Sequence, residues 1–188
     1  MVLSNVEIVK ALNEGRFRID DIAGLEPAEK PFNASAVDLR LGVEISIPLD
    51  DAPVALDLRK PNIAPFLRKH SRKIAITDDQ PHTLKPNQFV LANTYERVDF
   101  PITMGQCYSA RVEGKSSFAR CGMLVHFTAP TIHAGFNGTI TLEIINLGPL
   151  ALLLYPKMFI CQLIIEEVKG SPVDAPSQFQ GQSSPEGV

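Results

Sequence analysis

Between Phe89 and Val168 the chain breaks into short apolar runs separated by turn-forming residues: Phe89 to Ala92, Tyr108 to Val112, Met123 to Phe127, Thr139 to Ile145, Leu150 to Tyr155 and Met158 to Val168. Runs this short and this regularly spaced predict an all-β sandwich or barrel. Upstream, Val37, Leu39, Leu41, Val43, Ile45 and Ile47 alternate with Asp38, Arg40, Glu44 and Ser46, the two-residue period of a half-buried strand. The N-terminus follows a different period. Ser4 and Glu7 have capping-box spacing, Val6, Ile8, Val9 and Leu12 recur at helical intervals, and Gly15 supplies a stop, so a short helix opens the chain. A second helix is open over Ile22 to Glu29.

Residues 48 to 86 are rich in Pro, Asp and basic side chains and read as a long excursion with one brief strand near Val54 to Leu58. The closing stretch, KGSPVDAPSQFQGQSSPEGV, has too few aliphatic residues to bury a core of its own. It predicts a mobile tail able to order over a ligand, so residues 1–170 are expected to form one β domain and 171–188 an appendage.

At 188 residues and a formal charge of −3 the protein has no global field to attract nucleic acid. An anion must be caught by a local basic cluster, which favours a small phosphorylated ligand over a polymer. The first fifteen residues mix acids and bases, and no later stretch approaches a membrane span, so a cytoplasmic protein without membrane contact is expected. Cys107, Cys121 and Cys161 are widely spaced and form no C-x-x-C pair, which predicts reduced thiols. His70, His82, His126 and His133 lack metal-ligand spacing, and the H-x-E and P-C-x-x-C strings of zinc base deaminases are absent. No protein-bound metal is expected.

Two segments carry chemistry. In EGKSSFARCG, Lys115, Ser116, Ser117 and Arg120 bring two cations and two hydroxyls together between Gly114 and Gly122. Glycines let backbone turn tightly and approach an anion, so the segment reads as a phosphate cradle, or alternatively as a polar surface turn whose serines cap a helical turn. It is not a Walker loop, because the G-x-x-x-x-G-K-[ST] order is missing. In GTITLEIIN, Ile140, Leu142 and Ile144 share one strand face, with Thr139, Thr141, Glu143 and Ile145 on the other. A carboxylate between apolar neighbours is partly desolvated, which suits it to move protons near neutral pH; the competing reading is an edge-strand glutamate facing water.

The stretch EGKSSFARCGMLVHFTAPTIHAGFNGTITLEIIN resembles the dCTP deaminases of the dUTPase-like trimeric β superfamily, whose signature runs G-[RK]-S-S-x-A-R-x-G, then V-H-x-T-A, then an L-E strand. The segment ASAVDLRLG ending at Gly42 and the closing SQFQGQSSPEG resemble the same family's N-terminal portion and C-terminal lid. The resemblance implies a distorted jelly-roll or β-barrel with short N-terminal helices, assembled as a homotrimer with active sites between subunits. It implies Ser116, Arg120 and Glu143 as catalytic residues. Ala129 aligns with the residue whose backbone places the water, and Lys115, Ser117, His133, Phe136, Thr141, Gln162, Phe179 and Gln182 fall where relatives contact nucleotide. The implied reaction converts dCTP to dUTP and ammonia with Mg²⁺ carried on the triphosphate and no zinc; dTTP and dUTP are further nucleotides such a site would bind.

Two departures bear on the outcome. Many relatives read I-D-P-G-[WFY] where this chain reads IHAGF, so His133 replaces the aspartate that hydrolytic members use against the α-phosphate. Phe179 stands where tyrosine is frequent. The expectation is therefore a deaminase releasing dUTP. The rivals are a bifunctional enzyme forming dUMP, a plain dUTPase, and a non-catalytic nucleotide-binding trimer.

Overall fold

The computed structural model describes residues 1–49, 56, 57, 59, 63–174 and 180–187. The strand expected near Val54 to Leu58 lies outside these residues apart from Leu56 and Asp57, and Phe179 lies outside them altogether. Helix α1 (Asn5–Asn13) is followed by β1 (Arg18–Ile19), β2 (Phe32–Asn33), β3 (Ala36–Pro48), α2 (Ile63–Lys69), β4 (Ser71–Ala75), β5 (His82–Leu84), β6 (Phe89–Asp99) and β7 (Cys107–Gly114). Then come α3 (Ser116–Ala119), β8 (Met123–Leu124), β9 (Thr131–Ile132), β10 (Asn137–Asn146), β11 (Leu152–Leu154) and β12 (Phe159–Val168). The mainly β expectation holds. Among the described residues no helix is long and apolar enough to cross a membrane.

A single path of strands runs β8-β10-β6-β3-β12-β7-β9, with β1 on β6 and both β2 and β4 on β3, while β5 and β11 pair separately. Strand β3 makes the path curl. Its first half pairs with β12 and its second half with β4 and β6, and the register against β6 shifts between Leu41 and Ile45. Gly42 sits in that irregularity, where a Cβ would lie 2.8 Å from the Asn93 side-chain oxygen and 2.9 Å from its carbonyl, so only glycine permits the approach. The bulge also breaks the alternation expected from sequence: Val37, Leu39, Leu41 and Ile45 are buried, but Val43 is exposed. Arg40 clasps this region, its backbone N–H and Nε both donating to the buried Glu96 carboxylate at 2.8 and 2.5 Å. The core inside the curl is built from Leu39, Leu41, Ile45, Val90, Leu142, Ile144, Ile160 and Leu163, with Phe17, Phe100 and Tyr108 packed edge and face at one end.

Ser4 caps α1 as expected, accepting from the Glu7 N–H at 3.3 Å. The second helix does not form. Gly24 adopts φ +80, Pro27 has no N–H to donate, and Glu29 folds back to accept from the Glu26 N–H, so residues 22–29 resolve into turns. Helix α2, IAPFLRK, was hidden within the excursion. Its proline occupies the first turn, where N–H groups have no helical partner to lose. Cys107 and Cys161 are buried and Cys121 is exposed, all as free thiols, and burial pushes the Cys161 thiol far up from its usual range.

Candidate active site

Strand β10 keeps an unbroken two-residue period: Gly138, Ile140, Leu142, Ile144 and Asn146 are buried, while Thr139, Thr141, Glu143 and Ile145 are half-covered on the other face. Glu143 therefore points away from the core into a cleft of about 300 Å³ lined by Phe89, Phe127, Thr128, Ala129 and Glu143 itself. One carboxylate oxygen, Oε2, accepts from the Phe127 backbone N–H at 3.1 Å, which fixes the side chain's orientation. Phe89 and Phe127 meet edge to face, centroids 5.7 Å apart, and give the cleft an aromatic wall. The V-H-x-T-A segment supplies the rest of the wall, with Ala129 exposed beside the carboxylate.

The second cluster lies elsewhere in the chain. Ser116, Ser117 and Arg120 are exposed on or just after the single turn of α3 and do not line the Glu143 cleft. The Arg120 guanidinium has no ion pair among the described residues, and its backbone N–H closes the turn onto Ser116 O at 3.2 Å. The serines do not cap the helix: Lys115 is the N-cap residue and makes no capping bond. Its ammonium instead donates to Asp38 Oδ2. Asp38 is buried and its Oδ1 accepts from Asn33 Nδ2 at 2.8 Å and Gln162 Nε2 at 3.2 Å. Two residues expected to hold nucleotide, Lys115 and Gln162, thus converge on one carboxylate that sequence reading did not single out. Asp38 left only a faint signal, a charge inside an apolar strand.

Helix α3 ends against the turn after β10. Gly122 has φ +88, and a Cβ there would lie 2.3 Å from Gly148 N and 2.5 Å from its Cα. Backbone cannot step aside as a side-chain tip can. Gly122→Ala is expected to cost about 3 kcal/mol from overpacking and left-handed strain, read as a fall in denaturant midpoint with unchanged slope. A midpoint equal to wild type would show that the two turns are not locked together.

His133 is exposed in the turn between β9 and β10, its carbonyl accepting from the Phe136 N–H at 3.1 Å. Gly135 in that turn has φ +93, and Phe136 is half-buried against the core. Thr141 shares the outer face of β10 with Glu143 and registers opposite Asn93.

The described end of the tail, residues 180–187, lies against β10 and β4. Thr139 N–H donates to Gln182 O at 3.0 Å and Gln182 Nε2 donates back to Thr139 O at 2.9 Å, while Gly181 N–H reaches Asn137 O at 2.8 Å. Gln180 Nε2 donates to Gly135 O in the His133 turn. Gln182 and Glu186 are buried, and Glu186 pairs with Lys73 at 3.0 Å. The residues dock because polar groups satisfy polar groups, a route that the low aliphatic content did not exclude. Lys73 registers with Ser46, Ser46 with Leu91 and Leu91 with Glu143, so the tail ends on the cross-strand row that carries the cleft carboxylate.

Burial opposes the charge on Glu186, but Ser46, Lys73 and Ser184 outweigh it and hold the carboxyl below the usual glutamate range. A pKa depressed by docking contributes stability above the undocked value of about 4.3 and loses it as pH falls through the docked value. Amide exchange of residues 180–187, corrected for intrinsic rate, should therefore accelerate as pH drops below about 4.3. Protection that is flat through that window would mean that the ion pair contributes nothing to docking.

Residues 2–168 match the sequence pattern of the family described as dCTP deaminase-like. A protein of Methanosphaera stadtmanae named "dCTP deaminase, dUMP-forming" is 38% identical over 196 residues, covering 98% of this chain and 91% of the relative. One of Haloarcula marismortui named "dCTP deaminase" is 34% identical over 192 residues, covering 99% and 93%. Among solved structures, a 2'-deoxycytidine 5'-triphosphate deaminase from Agrobacterium tumefaciens superposes with a TM-score of 0.64 at 17% identity, covering 88% of this chain and 47% of that one, and shares its fold. The chain belongs to the dCTP deaminase-like family.

Proposed function

We propose that the chain hydrolyses dCTP to dUTP and ammonia without zinc. The observation that carries the reading is Glu143, projecting from the outer face of β10 into an aromatic-walled cleft and held there by the Phe127 N–H. Glu143 takes a proton from water as the water oxygen bonds to C4 of the base and passes it to N3; it then takes the remaining proton from the new C4 hydroxyl and delivers it to the amino group as the C4–N bond breaks, leaving a C4 carbonyl and ammonia. One positioned carboxyl of this kind contributes about 10²–10⁴-fold. Arg120 and Ser116 hold the water and the developing charge, a task for preorganised donors.

Ser116 and Arg120 do not line the Glu143 cleft of their own chain, as expected if a neighbouring chain supplies them. We take this as support for a homotrimer with sites between subunits. The Ala129 backbone is assigned to placing the water, and Ser117, Thr141, Phe136 and the tail residues Phe179 and Gln182 to contacts with the nucleotide. Mg²⁺ rides on the triphosphate oxygens, which suit a hard cation. Among the described residues no cluster of three or more Asp, Glu, His or Cys offers a cage of its own. The reading places the reaction in the cytoplasm.

A second reading, that dUTP is cleaved further to dUMP, is favoured by the printed name of the Methanosphaera relative. His133 argues against it here. In-line attack on the α-phosphate needs a base that binds water strongly, and an imidazole both donates and accepts where a carboxylate only accepts. Wild type should release little pyrophosphate from dUTP, and His133→Asp should raise that rate at least tenfold without raising ammonia release from dCTP. Equal rates of pyrophosphate and ammonia release by wild type would favour the dUMP-forming reading instead. The deaminase reading itself is tested by ammonia release from dCTP in the presence of a zinc chelator: release at an undiminished rate supports it, and release abolished by the chelator counts against it.

A further inference from the structure

Helix α3 is one turn long, and a single turn has almost no stability of its own because the entropy of fixing it is met by too few hydrogen bonds. Something outside the helix must hold it where Ser116 and Arg120 are needed. Three contacts do so. Phe118 packs against the core in the middle, Gly122 interlocks with the Gly148 backbone at the end, and Lys115 is tied to Asp38 at the start.

The Lys115 contact sits closest to the chemistry, because Lys115 immediately precedes Ser116. The Lys115 side chain is only 21% exposed and its ammonium faces a carboxylate that is 9% exposed. That carboxylate belongs to β3 and is held from the other side by Asn33 and by Gln162 of β12, so it cannot follow the lysine if the helix shifts. Withdrawing Lys115 toward a triphosphate would leave Asp38 as a buried charge with two amide donors and no cation, a costly state. Arg120 carries no such burden, being exposed and without an ion pair among the described residues.

We propose that Asp38 is a positioning residue for the deamination assigned above: through Lys115 it fixes the start of α3 and so the placement of Ser116 and Arg120, and Lys115 is a tether and not a phosphate ligand. This rests on the deaminase reading for its kinetic arm alone. The division of labour gives opposite expectations for binding and for turnover. Misplacing catalytic groups by a fraction of a bond length lowers kcat, whereas losing a phosphate ligand weakens binding of the phosphate.

The experiment compares Asp38→Asn, Lys115→Met, Lys115→Arg and the Asp38→Asn/Lys115→Met double variant. The readouts are kcat and KM for dCTP, calorimetric Kd for Mg²⁺-tripolyphosphate, and amide exchange of residues 116–120. We expect both single variants to lower kcat at least tenfold with the tripolyphosphate Kd within threefold of wild type. The double variant should be no worse than the weaker single, since both remove one tie. Lys115→Arg should recover most of kcat, and exchange at 116–120 should quicken at least tenfold in the two singles. The Lys115 pair carries the test even if Asp38→Asn fails to fold. A tenfold rise in tripolyphosphate Kd in Lys115→Met with kcat retained would overturn the proposal, as would unchanged exchange at 116–120 or multiplicative losses in the double variant. Wild-type protein inert toward dCTP would refute the deaminase reading and leave the binding and exchange arms to decide the proposal by themselves.

Discussion

Glu143→Gln is expected to abolish ammonia release from dCTP while leaving the nucleotide bound. The substitution keeps the length and planarity of the side chain, and an amide oxygen can still accept the Phe127 N–H that now bonds Oε2 at 3.1 Å. What is lost is the ability to carry the two protons of the attacking water in turn, the first to N3 and the second to the departing amine. Because that contact strengthens only as the reaction proceeds, the loss should fall on kcat with KM nearly unchanged, and should amount to about 10²–10⁴-fold. The strand itself should be undisturbed, since its buried face is Ile140, Leu142 and Ile144. Residual turnover within about tenfold of wild type would remove Glu143 from the mechanism, tenfold being below the range that a proton-transferring carboxyl supplies.

Arg120→Ala should be nearly as severe for a different reason. The side chain is exposed and makes no ion pair among the described residues, so its removal disturbs little of the monomer's packing and the denaturant midpoint should stay close to wild type. Its expected task is to stabilise charge that develops on the attacking water and the base, worth about 3 kcal/mol, or 10²–10³-fold in kcat. The two variants together test the division of the site between chains. Co-refolding inactive Glu143→Gln with inactive Arg120→Ala should return part of the wild-type activity, because a mixed trimer contains interfaces in which one chain supplies a native Glu143 and its neighbour a native Arg120. Two inactive parents that stay inactive when co-refolded would mean that both groups act from one chain.

What the residues disclosed in advance, and what they concealed, follows the range of the interactions involved. The face of Glu143 was legible because strand period is local and β10 keeps it without a break for ten residues. The same reasoning failed partway along β3, where Val43 turned outward: the bulge at Gly42 is imposed by Asn93 of a strand far along the chain, not by neighbours in sequence. The sequence leaves a helix open over residues 22–29, but Gly24, at φ +80, and Pro27, which has no N–H, turn the segment instead. Composition marks the α3 cluster but not its support, because Asp38 lies 77 residues from Lys115. Docking of the tail through Glu186 and Lys73 was hidden for the same reason, since nothing in a run of Ser, Pro, Gly and Gln announces a partner on β4.

The most direct test of the central claim is to follow dCTP and Mg²⁺ with the protein by proton and phosphorus NMR together. The account predicts that the cytosine ring signals give way to uracil signals as ammonium appears, while all three phosphorus resonances of a triphosphate persist. Cytosine signals that remain unchanged at a protein concentration sufficient to bind the nucleotide would contradict it.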